Sequence, residues 1–103
     1  MKVIKFTLDE SDRTERHVPE DFTPISVQVQ GETVTVWGET WFENPREAPT
    51  RPMTFFIVGT GWEVKADRVK THFIDTVQVL EGAIIWHVYW SWDPKGIRYA
   101  YED

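Results

Sequence analysis

The side chains able to do chemistry gather around one glycine turn and the strands that follow it. Gly59-Thr60-Gly61 closes an apolar run, Met53 to Val58. Consecutive backbone N–H groups in a glycine-containing turn form an anion-binding nest. Trp62 follows at once, then Arg68, Lys70 and His72, and farther on Thr76, His87 and Tyr89. Together these residues predict a site for a phosphate-bearing ligand, with Trp62 or Tyr89 stacking on a base. Such stacking is worth ~1–3 kcal/mol per base. The tripeptide lacks the spacing of a Walker loop or a dinucleotide fingerprint, and the competing expectation is a plain bend at a strand end.

Other chemistries find less support. His17, His72 and His87 are the only histidines, and cysteine is absent. His72 and Asp75 point to opposite sides of a strand, and His72 and His87 stand about four cross-strand positions apart. Zinc needs three or four convergent ligands, so no metal is expected. Ser11, Ser26 and Ser91 lie in no nucleophile motif, and triads converge only in space. Paired carboxylates for glycoside chemistry can be drawn from 17 acidic residues in so many ways that no pair stands out. The chain is therefore expected not to be an enzyme and to need no cofactor.

The elements that position the candidates are strands. Thr71 to Trp92 reads as a hairpin with a two-residue turn at Glu81-Gly82, since glycine tolerates positive φ. That register sets Leu80 against Ala83, Val77 against Trp86, Thr76 against His87, Asp75 against Val88 and Phe73 against Trp90. Side chains alternate between faces. Phe73, Val77, Val79, Ile84, Trp86, Val88 and Trp90 form a core face. His72, Ile74, Thr76, Gln78, Ile85, His87 and Tyr89 form a mixed one. A mixed face suits a pocket wall or a subunit contact; the plain alternative is a half-exposed sheet face with no role.

Elsewhere Lys2 to Leu8 alternates, and Thr14 to Val18 reads as a short edge strand. The segment Ile25–Trp37 predicts a hairpin about Gly31-Glu32, with Ile25, Val27, Val29, Val34 and Val36 inward. Gly38 suggests a bulge or bend. Glu43 to Pro52 holds three prolines and reads as a loop. Trp62 to Lys70 reads as a loop or one helical turn, and Ile97 to Tyr101 as the last strand. The expected fold is all-β: a single domain over residues 1–103, an antiparallel β sandwich or small barrel of seven to eight short strands.

Composition sets the limits. A chain of 103 residues buries about two thirds of its unfolded surface, enough for a core without staples. The absence of cysteine fits a reducing compartment, and the charged start MKVIKFTLDE does not fit a signal peptide. No apolar run nears the ~20 residues that span a bilayer. A cytoplasmic location with no membrane partner is expected. The net charge of −6 disfavours direct nucleic-acid binding. Asp9 to Asp21 sets six carboxylates against Arg13 and Arg16, a solvated loop or a patch for a basic partner. Six tryptophans are enough for both a core and a binding surface.

Four segments taken in order carry a resemblance: SVQVQ at 26–30, Trp37, FFIVGTG at 55–61, and TVQVLEGAIIWHV at 76–88. They resemble a family of short bacteriophage and bacterial proteins of unknown function. In that family a hairpin leads to a tryptophan, a proline-rich loop to a strand ending in VGTG, and a last hairpin closes the chain. The likeness spans Pro24 to Tyr89. It departs at Asp75, where the family has glycine, at Glu81 in the turn, and in the extension WSWDPKGIRYAYED. The resemblance implies a phage-type accessory protein and supplies no activity or functional residue. The resulting expectation is a homo-oligomeric counter-defence sponge, acting in the host cytoplasm, that sequesters a nucleotide signal. The alternatives are an acidic inhibitor of a host defence or nucleic-acid-binding protein, working through the surface from Asp9 to Asp21, and a carbohydrate-binding sandwich displaying Trp41, Trp90 or Trp92.

Overall fold

A computed structural model describes residues 1–102. Nine strands run β1 Lys2–Thr7, β2 Arg13–Pro19, β3 Thr23–Gln30, β4 Thr33–Thr40, β5 Thr50–Gly59, β6 Val64–Ala66, β7 His72–Val79, β8 Ile84–Ser91 and β9 Ile97–Tyr99, before a 3₁₀ turn at Ala100–Glu102. They form three antiparallel sheets, ordered β1-β4-β3, β2-β5-β8-β7 and β6-β9. The first two face one another as a sandwich; the barrel alternative does not close. Between them lie Leu8, Val18, Phe22, Val27, Val36, Met53, Phe55, Ile57, Val77 and Val88. The small β6-β9 sheet covers the back of β5, where Phe56, Val58, Ile97 and Tyr99 make a second core. The alternation of β5 accounts for both: Phe55 and Ile57 point one way, Phe56 and Val58 the other.

Side chains bridge the two seams between the main sheets. At one, the Asp75 carboxylate accepts from the Val27 N–H (3.3 Å) and from its neighbour Thr76 N–H (2.8 Å). At the other, Arg16 donates to the Thr7 carbonyl (3.1 Å) and pairs with Asp9 (2.8 Å). Both edge strands of the three-stranded sheet are thereby tied to the four-stranded one.

Several local expectations change. The β7-β8 register runs as expected from Val79 opposite Ile84 to Asp75 opposite Val88. A bulge at Ile74 then shifts it, so Phe73 opposes Tyr89 instead of Trp90. One extra residue exchanges the faces beyond it. Phe73 turns out to solvent against Tyr89 (5.4 Å between rings), His72 lies on Trp90 (4.4 Å), and Ile74 packs on the core. A second bulge, between Pro24 and Ser26 in β3, leaves Ile25 half exposed rather than inward. The β7-β8 connection runs from Leu80 to Ala83; within it the Ala83 N–H donates to the Leu80 carbonyl (3.1 Å) around Glu81-Gly82 as expected, and the Gly82 N–H donates to the Val79 carbonyl (3.2 Å). Leu80, Glu81 and Gly82 all have positive φ.

Gly38 lies inside β4 opposite the β3 bulge, where the register shifts between Pro24 and Ser26. Only glycine fits there, because the Phe22 ring and the Thr23 carbonyl lie where a Cβ would stand. Pro52 sits inside β5 yet breaks no ladder. It pairs with His17 of β2, whereas β8 joins β5 only from Thr54 onward; the side lacking an N–H is unpaired there. The segment from Trp62 to Lys70 contains β6, and the last strand stops at Tyr99, followed by the 3₁₀ turn.

Candidate functional site

The predicted site residues separate into two places. The first lies on the outer face of β7 and β8. His87 stands opposite Thr76. Its Nδ1 lies 2.9 Å from the Thr76 hydroxyl and its Nε2 2.7 Å from the Thr60 hydroxyl. A neutral imidazole has one donor and one acceptor nitrogen, and a hydroxyl serves either. The chain Thr60–His87–Thr76 thus links the glycine turn to the hairpin and occupies both ring nitrogens. Tyr89 lies to one side of His87, packed against the second core and met by exposed Phe73; Ile85 lies to the other side of His87.

The Gly59–Gly61 turn is closed by its own hydrogen bond, from Trp62 N–H to the Gly59 carbonyl (3.1 Å). Gly61 supplies the positive φ (85°) that such a turn requires at its third residue. Trp62 lies directly over Gly59, where a Cβ would be 2.6 Å from the indole. The indole also meets Trp86 edge-on (5.5 Å) and Tyr99 (6.5 Å). Its role in this geometry is to cover the turn.

The second place is a cleft of about 420 Å³ bordered by Arg51, Lys70, His72, Trp92 and Asp93. His72 is four residues from Thr76 along β7, ~13 Å at strand rise, so this cleft is separate from the His87 chain. Asp67 builds the turn that presents Lys70: its carboxylate accepts the N–H groups of Val69 (2.9 Å) and Lys70 (3.1 Å). Lys70 Nζ reaches Asp93 at 3.4 Å. The backbone N–H of Lys95 is the main influence holding the Asp93 carboxyl below its usual range, with Lys70 adding to it. The Arg51 guanidinium lies 4.1 Å from the centre of the Trp92 ring, and no hydrogen bond or ion pair engages its donors among the described residues. A guanidinium held on an indole is preorganised for planar, bidentate recognition of an anion. Arg68, on the same turn as Lys70, is exposed and does not border the cleft.

Arg51 was absent from the sequence expectation. It falls in a proline-rich stretch that reads as a loop, 41 positions from Trp92 by their numbers. Only the pairing of β5 with β8 brings the two together.

The other candidates are placed as follows. Arg13 is bound bidentately by Glu102 (2.9 and 3.2 Å) and donates to the Ile97 carbonyl (2.9 Å). Arg13 is also the main reason the Glu102 carboxyl sits below its usual range. Asp21 accepts from the Thr40 hydroxyl (2.6 Å) and the Trp41 N–H (2.8 Å); the Thr40 bond is the leading cause of its lowered pKa. Trp41 is 70% exposed, whereas Trp90 and Trp92 are half-buried and pack edge-on at 5.4 Å. Among the described residues no three His, Asp or Glu side chains converge as metal ligands, and no helix is long and apolar enough to cross a membrane.

The comparison that decides the family covers almost the whole sandwich, from β1 to the start of β9. The chain belongs to the family described as Domain of unknown function (DUF7352), whose profile matches residues 1–97. The matched span contains Arg51, Lys70, His72 and Trp92 and ends before the 3₁₀ turn that clamps Arg13. No curated protein and no solved structure matches the chain.

Proposed function

We propose that this domain acts by binding rather than catalysis, and that its ligand is a small phosphate-bearing molecule of the nucleotide class. The observation that carries the reading is Arg51, stacked on Trp92 with its donors uncommitted, over a cleft shared with Lys70 and His72. Three nitrogen-bearing side chains against one carboxylate, Asp93, favour an anion. The half-buried indole of Trp92 offers apolar surface for the ring system of such a ligand. In a phage-type accessory protein, binding of this kind withdraws a host nucleotide signal in the cytoplasm without turnover. Exposed Phe73 and Ile85 on the outer side of the β7-β8 hairpin support self-association, giving a homo-oligomer with several copies of the cleft.

Isothermal titration calorimetry with a panel of mono-, di- and cyclic nucleotides, with inorganic phosphate alongside, tests the reading. At least one nucleotide is expected to saturate, and the Arg51→Ala/Lys70→Ala double variant to bind it at least tenfold more weakly. No saturable binding across the panel, or binding indifferent to both substitutions, overturns it. Native mass spectrometry of the same samples reports subunit number and bound mass together.

A further inference from the structure

At the opposite end of the sandwich the two main sheets part around a cavity of about 520 Å³. Its floor is the end of the core: Leu8, Val29, Val34, Ile57 and Trp86. Its mouth carries Asp9, Glu10, Asp12 and Glu32, with no basic side chain in the lining. Two of those carboxylates are engaged. Asp9 pairs with Arg16, and Asp12 accepts from the Tyr101 hydroxyl (2.8 Å). No hydrogen bond or ion pair among the described residues engages the carboxylates of Glu10 and Glu32.

The cavity has the size of a small-molecule site, which runs from ~300 to 1,000 Å³. Apolar walls lower the local dielectric, and a rim of one charge focuses its field into the opening. An anion is repelled there. A neutral apolar molecule gains burial only, whereas a hydrophobic cation gains both burial and charge pairing. Leu80, 66% exposed, borders the same opening on a left-handed backbone.

We infer that this end of the sandwich is a second binding site, for a hydrophobic organic amine. The apolar body would lie against Ile57 and Trp86, and the ammonium would meet Glu10 and Glu32. None of its residues borders the Arg51 cleft, so the inference does not depend on the nucleotide reading.

The probe is tryptamine, compared with its neutral alcohol analogue tryptophol and with the anionic indole-3-propionate. Binding is followed by calorimetry and by amide chemical shifts on the full chain. Tryptamine is expected to bind at least tenfold more tightly than either comparator, to shift the amides of Leu8, Ile57 and Trp86, and to weaken with added salt. In the Glu10→Gln/Glu32→Gln variant, whose changes are isosteric and at the surface, the preference for tryptamine over tryptophol is expected to fall at least fivefold. Equal binding of the three compounds, an unchanged preference in the double variant, shifts confined to other residues, or no saturable tryptamine binding would each overturn the inference.

Discussion

At the scale of single residues, Tyr99 holds together the point where β2, β5 and the C-terminal turn meet. It is 2% exposed, and its hydroxyl lies 2.7 Å from the Ile57 carbonyl and 2.8 Å from the Asp12 carbonyl. The single hydroxyl proton is shared between two acceptors. Burial is the main reason its phenol is pushed well above the ordinary tyrosine range. A raised folded pKa stabilises the fold below the unfolded value, ~10, and that contribution is lost as pH rises through the folded value. Tyr99→Phe removes the hydroxyl and leaves both carbonyls unpartnered by it. It is expected to cost ~1–2 kcal/mol at neutral pH, measured by denaturant unfolding, and to make the alkaline loss of stability less steep. A variant as stable as the parent, with the same alkaline limb, would show that the Ile57 carbonyl finds water instead, the Asp12 carbonyl keeping its bond from the Ile57 N–H (2.8 Å).

At the scale of elements, the hairpins were legible because alternation and turn glycines are local signals. Gln30 opposes Thr33 and Val77 opposes Trp86, as their patterns predict. The bulges were not legible, because an alternation reading assumes an unbroken period of two. One extra residue at Ile74 was enough to exchange His72 and Phe73 between faces, taking His72 off the mixed face and onto Trp90. The candidate site was readable to the same extent. Thr76 and His87 meet because they are cross-strand neighbours in one hairpin, while Thr60 with His87, and Arg51 with Trp92, depend on the pairing of β5 with β8, which no local pattern encodes. Gly38 shows the converse: the glycine was visible, but its cause, the Phe22 ring, lies in another element. The β7-β8 turn carries a cost of its own. Leucine in the left-handed region is disfavoured by ~1–2 kcal/mol, and asparagine tolerates that region. Because Leu80 is largely exposed, Leu80→Asn is expected to raise stability by ~0.5–1 kcal/mol. Thermal unfolding of the variant checks this, and a lower midpoint would mean that Leu80 contributes packing at the cavity mouth worth more than its backbone strain.

At the scale of the whole molecule, the sandwich is held shut by its core and by two side-chain bridges. Val27 N–H stands at the edge of β3, where no strand supplies a ladder partner, and Asp75 fills that role. An unpaired edge invites pairing with another chain. Asp75→Ala is therefore expected to speed amide hydrogen exchange at Val27 selectively, by at least tenfold, and to increase self-association at high concentration. Unchanged exchange at Val27 would mean that the neighbouring strands alone protect the seam.

The tryptophans have a consequence beyond packing. Trp62 and Trp86 cross at 68° with ring centres 5.5 Å apart, and Trp90 and Trp92 cross at 78° and 5.4 Å. Indoles that close, and neither parallel nor coplanar, share their excited states. Each pair splits one absorption into two bands of opposite rotational strength. The sandwich thus carries its own chiroptical label, one pair beside each proposed site, and ligand entry at either end would be visible in far-ultraviolet circular dichroism without an added chromophore.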